Sequence, residues 1–264
     1  MKIIGEKING TRKTVAKAIS ERDTEHIKNL AIKQAEAGSA WLDVNAGTHP
    51  DREVDDLLWL IETVQSVVDI PLCLDSANPE ALKFGTRAVE NVPMINSISG
   101  EPTRLEEILP IVVEYGCDVI ALAMDGMKIP ETSEKRLEII DTIMVASRHA
   151  GIRDDKVYLD PLAMTIATAN QSAVVACETI RRAKEKYSEV HFTMGLSNIS
   201  FGLPARRQIN RAFLTLAMQA GLDSAILDPL DKELMAAIVT TQLLLGEDKH
   251  CMNYLKASRS GLFD

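Results

Sequence analysis

Aromatic side chains are scarce: two Trp, four Tyr and five Phe make up 4% of the 264 residues, whereas apolar residues reach 46%. A core with so few rings is packed by aliphatic side chains, as in parallel strands buried on both faces. Cys73, Cys117, Cys177 and Cys251 stand far apart and form no Cys-x-x-Cys pair, so no zinc or iron–sulfur signature is present. Cys73 falls inside a predicted strand and Cys177 inside a predicted helix, where a thiol serves as a small buried apolar group. The five histidines are scattered. His191 opens a strand and His49 follows the second strand, and packing or surface roles suit them better than catalysis. Basic residues are outnumbered, 29 Lys and Arg against 38 Asp and Glu, for a formal charge of −9. That balance argues against nucleic acid or an anionic membrane surface, because phosphate binding needs a concentrated basic face.

No apolar stretch approaches the ~20 residues that span a bilayer. Met1-Lys2-Ile3-Ile4-Gly5 leads directly into a strand with no signal-like region before it, so a cytoplasmic location is expected. Linkers and low-complexity tracts are missing too, and residues 1–264 read as one domain. The segment 246–264 is a C-terminal tail that packs across the bottom of the fold or reaches a second subunit.

What the chain does have is a pattern. Eight times an apolar run ends in a small polar or acidic residue and gives way to an amphipathic helix. The runs end at Glu6-Lys7-Ile8-Asn9, Asp43-Val44-Asn45, Asp75-Ser76, Asn96-Ser97, Met124-Asp125, Asp160-Pro161, Ser197-Asn198 and Asp228-Pro229. This predicts a (β/α)8 TIM barrel, whose usual ~250 residues match the length and whose chemistry sits at the carboxyl ends of its strands.

The predicted strands are Lys2–Ile8, Trp41–Asn45, Pro71–Asp75, Pro93–Asn96, Asp118–Met124, Val157–Asp160, His191–Leu196 and Ser224–Leu227. Helix one spans about Asp23 to Gly38, with a capping Asp and a stopping Gly. Val54, Leu57, Leu58, Ile61, Val64 and Val68 mark the next helix at helical spacing. Asn78-Pro79-Glu80 opens the third, and Thr103–Tyr115 forms the fourth. Ser133–Ala150, a helix ending at Tyr187, one stopping at Gly221 and Lys232–Leu245 complete the set. An unusually elaborate loop covers Ser197–Arg207.

The segments Ile4-Gly5-Glu6-Lys7-Ile8-Asn9-Gly10, Leu42-Asp43-Val44-Asn45, Leu74-Asp75-Ser76, Ile95-Asn96-Ser97, Leu159-Asp160-Pro161, Gly195-Leu196-Ser197-Asn198-Ile199-Ser200-Phe201-Gly202-Leu203-Pro204 and Gly221-Leu222-Asp223-Ser224-Ala225-Ile226 keep their order and spacing across essentially the whole chain. Together they resemble the pterin-binding methyltransferase family. Its members include methyltetrahydrofolate:corrinoid/iron–sulfur protein methyltransferases, the folate-binding domain of cobalamin-dependent methionine synthase, and tetrahydrofolate methyltransferases of anaerobic demethylation systems. The resemblance implies transfer of a methyl group between N5 of tetrahydrofolate and a corrinoid cobalt.

The residue types suit that ligand. A pterin edge presents a ring N–H beside an exocyclic amino group, and one carboxylate accepts both, while a carboxamide both donates and accepts. Asp75, Asn96 and Asp160 are thus the main pterin candidates, and the resemblance gives the matching residues that role. The alternative is that Asp75 caps its following helix and Asp160 stabilises a turn before Pro161. Asn198 is the candidate for the chemical step, with Asp160 beside it, because N5 is a poor leaving group without hydrogen-bond donation and a neutral amide donates without repelling a developing cation. A turn-forming Asn is the alternative. Asp43, Asn45, Ser197, Gly195, Glu6 and Asn9 are further pterin candidates. Phe201, Arg206 and Arg207 are candidates to contact the folate tail or tether the loop, although arginines at a helix start are also commonly just solvated.

No Asp-x-His-x-x-Gly cobalamin-binding pattern occurs, so the corrinoid is expected on a separate protein docking over the barrel mouth. The resemblance also implies a homodimer, and the dispersed Cys and His residues together with the missing cobalamin pattern lead to the expectation of no bound metal. Two alternatives stay open: a dihydropteroate synthase-like enzyme, which would carry a Ser-Arg-Lys type segment where this chain has Ser197-Asn198-Ile199-Ser200, and a folate-binding protein without turnover.

Overall fold

In the computed structural model, residues 1–126 and 128–264 are described. The strands are β1 (Lys2–Asn9), β2 (Trp41–Asn45), β3 (Leu72–Asp75), β4 (Met94–Ser99), β5 (Asp118–Leu122), β6 (Val157–Asp160), β7 (His191–Phe192) and β8 (Ser224–Leu227). They form one parallel sheet in the order β7-β6-β5-β4-β3-β2-β1-β8. The ends of that sheet meet: Gly195 bridges Ile226, and the Ile226 N–H donates to the Met194 carbonyl at 2.9 Å. The expected (β/α)8 barrel is the observed fold.

Helices α1 (Lys13–Glu21), α2 (Thr24–Glu36), α3 (Pro50–Gln65), α4 (Pro79–Ala88), α5 (Pro102–Tyr115), α6 (Ser133–His149), α7 (Ser172–Lys186), α8 (Arg206–Ala220), α9 (Lys232–Leu244) and α10 (Met252–Arg259) surround it. Their starts are written locally. Asp23, Asn78, Thr132 and Asp231 each accept a main-chain N–H from the first turn of the helix that follows, and Pro50, Pro79 and Pro102 occupy first positions, where a missing N–H costs nothing.

Two packing regions follow from the two-residue period of a strand. Outward side chains such as Leu42, Leu74, Ile95, Val119 and Leu159 meet the apolar faces of the helices. Inward, Ile4, Trp41, Cys73, Met94, Ile120 and Tyr158 fill the lower barrel. Two residues further along five of those strands stand Glu6, Asp43, Asp75, Asn96 and Asp160. The interior therefore changes from apolar to polar over one step of the pleat.

The structure departs from expectation in four places. The segment before α2 forms the additional short helix α1. β4 runs on to Ser99 through an irregular register between Asn96 and Ile98. β7 stops at Phe192 instead of reaching Leu196, because the chain tightens into a 3-10 turn over Leu196–Ser200, in which the Asn198 N–H donates to the Gly195 carbonyl at 3.2 Å. The tail folds back on α9 as α10, started by the buried Asp248 carboxylate, which accepts the main-chain N–H groups of Asn253 and Tyr254 at 2.9 Å each.

Candidate active site

Asp75 and Asn96 are paired across neighbouring strands, and Leu122 of β5 is paired with Asp160 of β6. The three main sequence candidates thus lie along one rim of the barrel mouth. Asn78, not Asp75, caps α4. Asp75 is instead turned to the site, where Asn45 Nδ2 donates to its Oδ2 at 2.8 Å. Asn96 Nδ2 donates to Asp43 Oδ1 at 3.3 Å. Two acid–amide pairs, Asp75–Asn45 and Asp43–Asn96, thus cross between neighbouring parts of the rim. A cavity of about 360 Å³ opens beside them, lined by Asp75, Asn96, Ser97, Arg104, Leu122 and Met124 among others.

Burial decides the electrostatics. Asp43 is held well above the ordinary carboxylate range, first by desolvation and then by the neighbouring charge of Asp75. The amide of Asn96 opposes this only in part. Asp75 is also raised by burial, with the Asn45 hydrogen bond pulling it down. The two carboxylates repel each other, and the more buried one, Asp43, is shifted towards its neutral form the more strongly. Asp160 is pushed up to about 7 by burial, against the stabilising Leu162 N–H, the Arg136 guanidinium and the Gly195 N–H. Its Oδ1 accepts the Leu162 N–H at 2.7 Å, so the turn role envisaged for it is present as well. Only part of the carboxylate is used in that turn.

Asn198 sits on the 3-10 turn beyond β7 and is exposed. Among the described residues its carboxamide makes no hydrogen bond, unlike a side chain spent on forming its own turn. It lies against Gly195: a Cβ on that glycine would come within 2.9 Å of Asn198 Nδ2. Gly195 thus leaves room for the amide. The Ser197 carbonyl accepts from Arg206 Nη2 at 2.7 Å, and Arg206 Nε donates to Ser200 Oγ at 3.0 Å. Arg206 is therefore the tether of this loop. It also covers the Phe201 ring at 5.8 Å, although Phe201 remains 68% exposed. Arg207 faces Asp231 of the next loop at 3.6 Å.

The first strand contributes less. Glu6, raised by burial and countered by Arg12, is held by that arginine at 2.6 Å. Asn9 is engaged in its own turn, accepting from the Thr11 N–H at 3.0 Å and the Thr11 hydroxyl at 2.7 Å. Lys7 bridges to Asp228 of the last strand end at 2.7 Å. Among the described residues, no group of three or more His, Cys, Asp or Glu is arranged to hold a metal ion.

Sequence reasoning missed Arg104 and Arg136, which reach this rim from α5 and α6. A signal existed: a cation in the first turn of a helix opposes the macrodipole and needs another reason to be there.

The chain matches the family described as pterin binding enzyme over residues 5–228. It is 40% identical over 263 residues, 99% of this chain and 97% of the relative, to the methylcorrinoid:tetrahydrofolate methyltransferase of Eubacterium limosum. It is 31% identical over 237 residues to the methionine synthase of Mycobacterium tuberculosis, covering 85% of this chain but 20% of that much longer protein. Its fold is similar to dihydropteroate synthase from Xanthomonas albilineans in complex with 7,8-dihydropteroate, with a TM-score of 0.67, 20% identity and coverage of 92% of this chain and 93% of the other.

Proposed function

The chain belongs to the pterin binding enzyme family, and we propose that it is a methyltransferase acting between N5 of tetrahydrofolate and the cobalt of a corrinoid carried by a separate protein. The observation that carries this reading is the rim of Asp75, Asn96 and Asp160, in a chain that aligns over nearly its whole length with a methylcorrinoid:tetrahydrofolate methyltransferase.

Asp75 and Asp160, as carboxylates, take the paired N–H donors of a pterin edge, and Asn96 supplies a donor and an acceptor beside them. Asp43, shifted towards its neutral form by burial behind them, limits the negative charge collected at the mouth. Asn45, Glu6 and Asn9 belong to the supporting layer, holding Asp75, Arg12 and the loop after β1 in place. In methyl transfer towards tetrahydrofolate, the N5 lone pair forms the new carbon–nitrogen bond, the cobalt–carbon electron pair stays on the metal, and N5 gives up its proton. Asn198 faces that nitrogen from the open side, where its amide hydrogen-bonds to N5 as charge changes there. The same arrangement serves the reverse direction. The protein's contribution is orientation and electrostatics.

Partner docking over the mouth is supported by the exposed Phe201-Gly202-Leu203-Pro204 loop beside Asn198. A homodimer belongs to the same proposal by family resemblance, and light scattering in solution should give twice the chain's 29.0 kDa. No described helix is long and apolar enough to cross a membrane. The test of function is single-turnover transfer from methylcobalamin or a methylated corrinoid protein to tetrahydrofolate, followed by cobalamin absorbance. Appearance of the reduced corrinoid with methyltetrahydrofolate is expected. Folate binding without transfer from either donor would leave a carrier protein and overturn the enzyme reading.

A further inference from the structure

Arg104 and Arg136 stand in the first turns of consecutive helices and do the same work on two sides of the rim. Arg104 of α5 donates through Nε to the Ser97 carbonyl at 2.8 Å, through Nη1 to Ala77 at 2.7 Å and through Nη2 to Ser76 at 2.9 Å. Those carbonyls lie just beyond Asp75 and Asn96. Arg136 of α6 donates through Nε to Pro130 at 2.9 Å, and through Nη1 to Pro161 at 2.6 Å and Leu162 at 2.7 Å. The latter two lie just beyond Asp160. Arg136 is 1% exposed. Burying a guanidinium is costly unless its donors are met, and here Nε and Nη1 are met by loop carbonyls and not by an acidic side chain.

We propose that Arg104 and Arg136 are positioning residues for the pterin, each locking the main chain that follows a pterin-facing side chain. The inference rests on the pterin reading of Asp75, Asn96 and Asp160. A planar fork on two or three carbonyls fixes a loop that otherwise has no regular hydrogen bonding, as lysine's single ammonium cannot. At β6 the lock has a visible consequence. Leu162 adopts φ +66°, a conformation uncommon for a branched side chain. Its carbonyl is held by Arg136 while its N–H points to Asp160 Oδ1. Removing the fork lets that turn relax and lets Asp160 swing.

Charge acts along the same geometry. Arg136 is the charged side chain acting on Asp160, and it favours the ionised carboxylate against burial. Asp75 faces Glu53, Asp43 and Arg104, and Arg104 is the cation in that group. Because both arginines use main-chain partners, neither is neutralised by a direct carboxylate contact, and their charge remains available to the site.

The experiment is calorimetric titration of tetrahydrofolate across pH, using Arg136→Met, Arg136→Lys and Arg104→Met with the wild-type protein. Each variant is first checked by circular dichroism and thermal melting. Arg136→Met should weaken binding about tenfold or more at neutral pH, and should move the acid limb of binding, near 7 in the wild type, to higher pH. Arg136→Lys should lose affinity while keeping that limb close to its original place. Arg104→Met, at a half-buried position, should lose affinity without moving the Asp160 limb. If Arg136→Met does not fold, the lysine and Arg104 variants decide the question. Folded variants with wild-type affinity and pH dependence would overturn the positioning role alone. A wild-type protein that binds no folate would overturn the pterin reading and this inference together.

Discussion

Replacing Asp160 by Asn removes a charge while keeping the shape and the acceptor for the Leu162 N–H. The barrel should fold, and the loss should be confined to the pterin. A charge-assisted contact is worth about 1.5 to 3 kcal/mol, so tetrahydrofolate affinity above pH 8 or so should fall by roughly ten- to 150-fold. The pH dependence makes the prediction sharper. Asp160 is pushed up to about 7 in the free protein, and on the proposed assignment only its ionised form accepts both pterin donors. Below that point each pH unit costs about 1.4 kcal/mol of wild-type binding. The variant has no such cost. The ratio of wild-type to variant affinity should therefore be largest at alkaline pH, shrink about tenfold per unit below 7, and approach one about two units lower. Taking the ratio cancels the titrations of Asp75 and of the ligand, provided they act independently. Isothermal calorimetry from roughly pH 5 to 8.5 covers the window. A ratio that stays constant across it would refute the assignment of Asp160 as the ionised pterin acceptor.

The same group sets a stability test of opposite sense. Its folded value is raised, so its contribution to stability is fully present below the unfolded value of about 3.9 and is lost as pH rises through about 7. Without ligand, Asp160→Asn should melt above the wild type at pH 8 and lose that advantage towards pH 4. Saturating folate should reverse the order at pH 8, because it binds the charged wild-type site more tightly.

Asn198→Ala should melt like the wild type and bind folate with modest loss, yet slow single-turnover methyl transfer by roughly 10² to 10³, by analogy with an oxyanion-hole donor; a wild-type rate would remove Asn198 from the mechanism. Gly195→Ala places a methyl group 2.9 Å from Asn198 Nδ2, so it should mimic part of the Asn198→Ala defect in the transfer rate, whereas unchanged kinetics would mean that the amide works from another position. Purified protein should carry neither cobalt nor zinc by elemental analysis; cobalt near one atom per chain would contradict delivery of the corrinoid by a separate protein, and zinc near one would contradict the expectation of no bound metal.

The barrel was legible because each of its parts is local. Apolar runs, capping residues and first-turn prolines such as Pro50, Pro79 and Pro102 repeat along the chain, and eight such units have few ways to close. The polar rim was legible at the strand ends for the same reason. The alternation beneath it was also written there, in Trp41-x-Asp43, Cys73-x-Asp75, Met94-x-Asn96 and Tyr158-x-Asp160, and reading it would have shown that these acids point into the barrel. What was not legible depends on contacts distant in sequence. Asp43 meets Asn96 across 53 residues and Asn45 meets Asp75 across 30, so no spacing rule links them. β7 ended early because the 3-10 turn at Leu196–Ser200 is fixed by Arg206 on the far side of the loop, whereas the sequence there remains apolar enough to read as strand.

These contacts bear on how a barrel can bind a neutral, donor-rich heterocycle with acids without filling its mouth with repelling charge. Asp43, Asp75 and Asp160 cannot all be ionised cheaply in a buried rim. The solution here is a graded one. Asp43 lies deepest and is shifted most strongly towards its neutral form, Asp75 is supported by Asn45 and faces Arg104, and Asp160 is poised near neutrality with Arg136 behind it. The arginines bind carbonyls and not the acids themselves, so in the proposed site a pterin arriving with two N–H donors would meet carboxylate oxygens that no side-chain cation has already taken. Had Arg136 paired directly with Asp160, the carboxylate would be fully ionised at neutral pH but its acceptors would be occupied, and ligand binding would have to break a buried ion pair first. Holding the charge one peptide away keeps the carboxylates clear of a side-chain cation and the loop geometry fixed. That is the arrangement required where the protein's share of the reaction is to present N5 to an incoming methyl group at a set distance and angle.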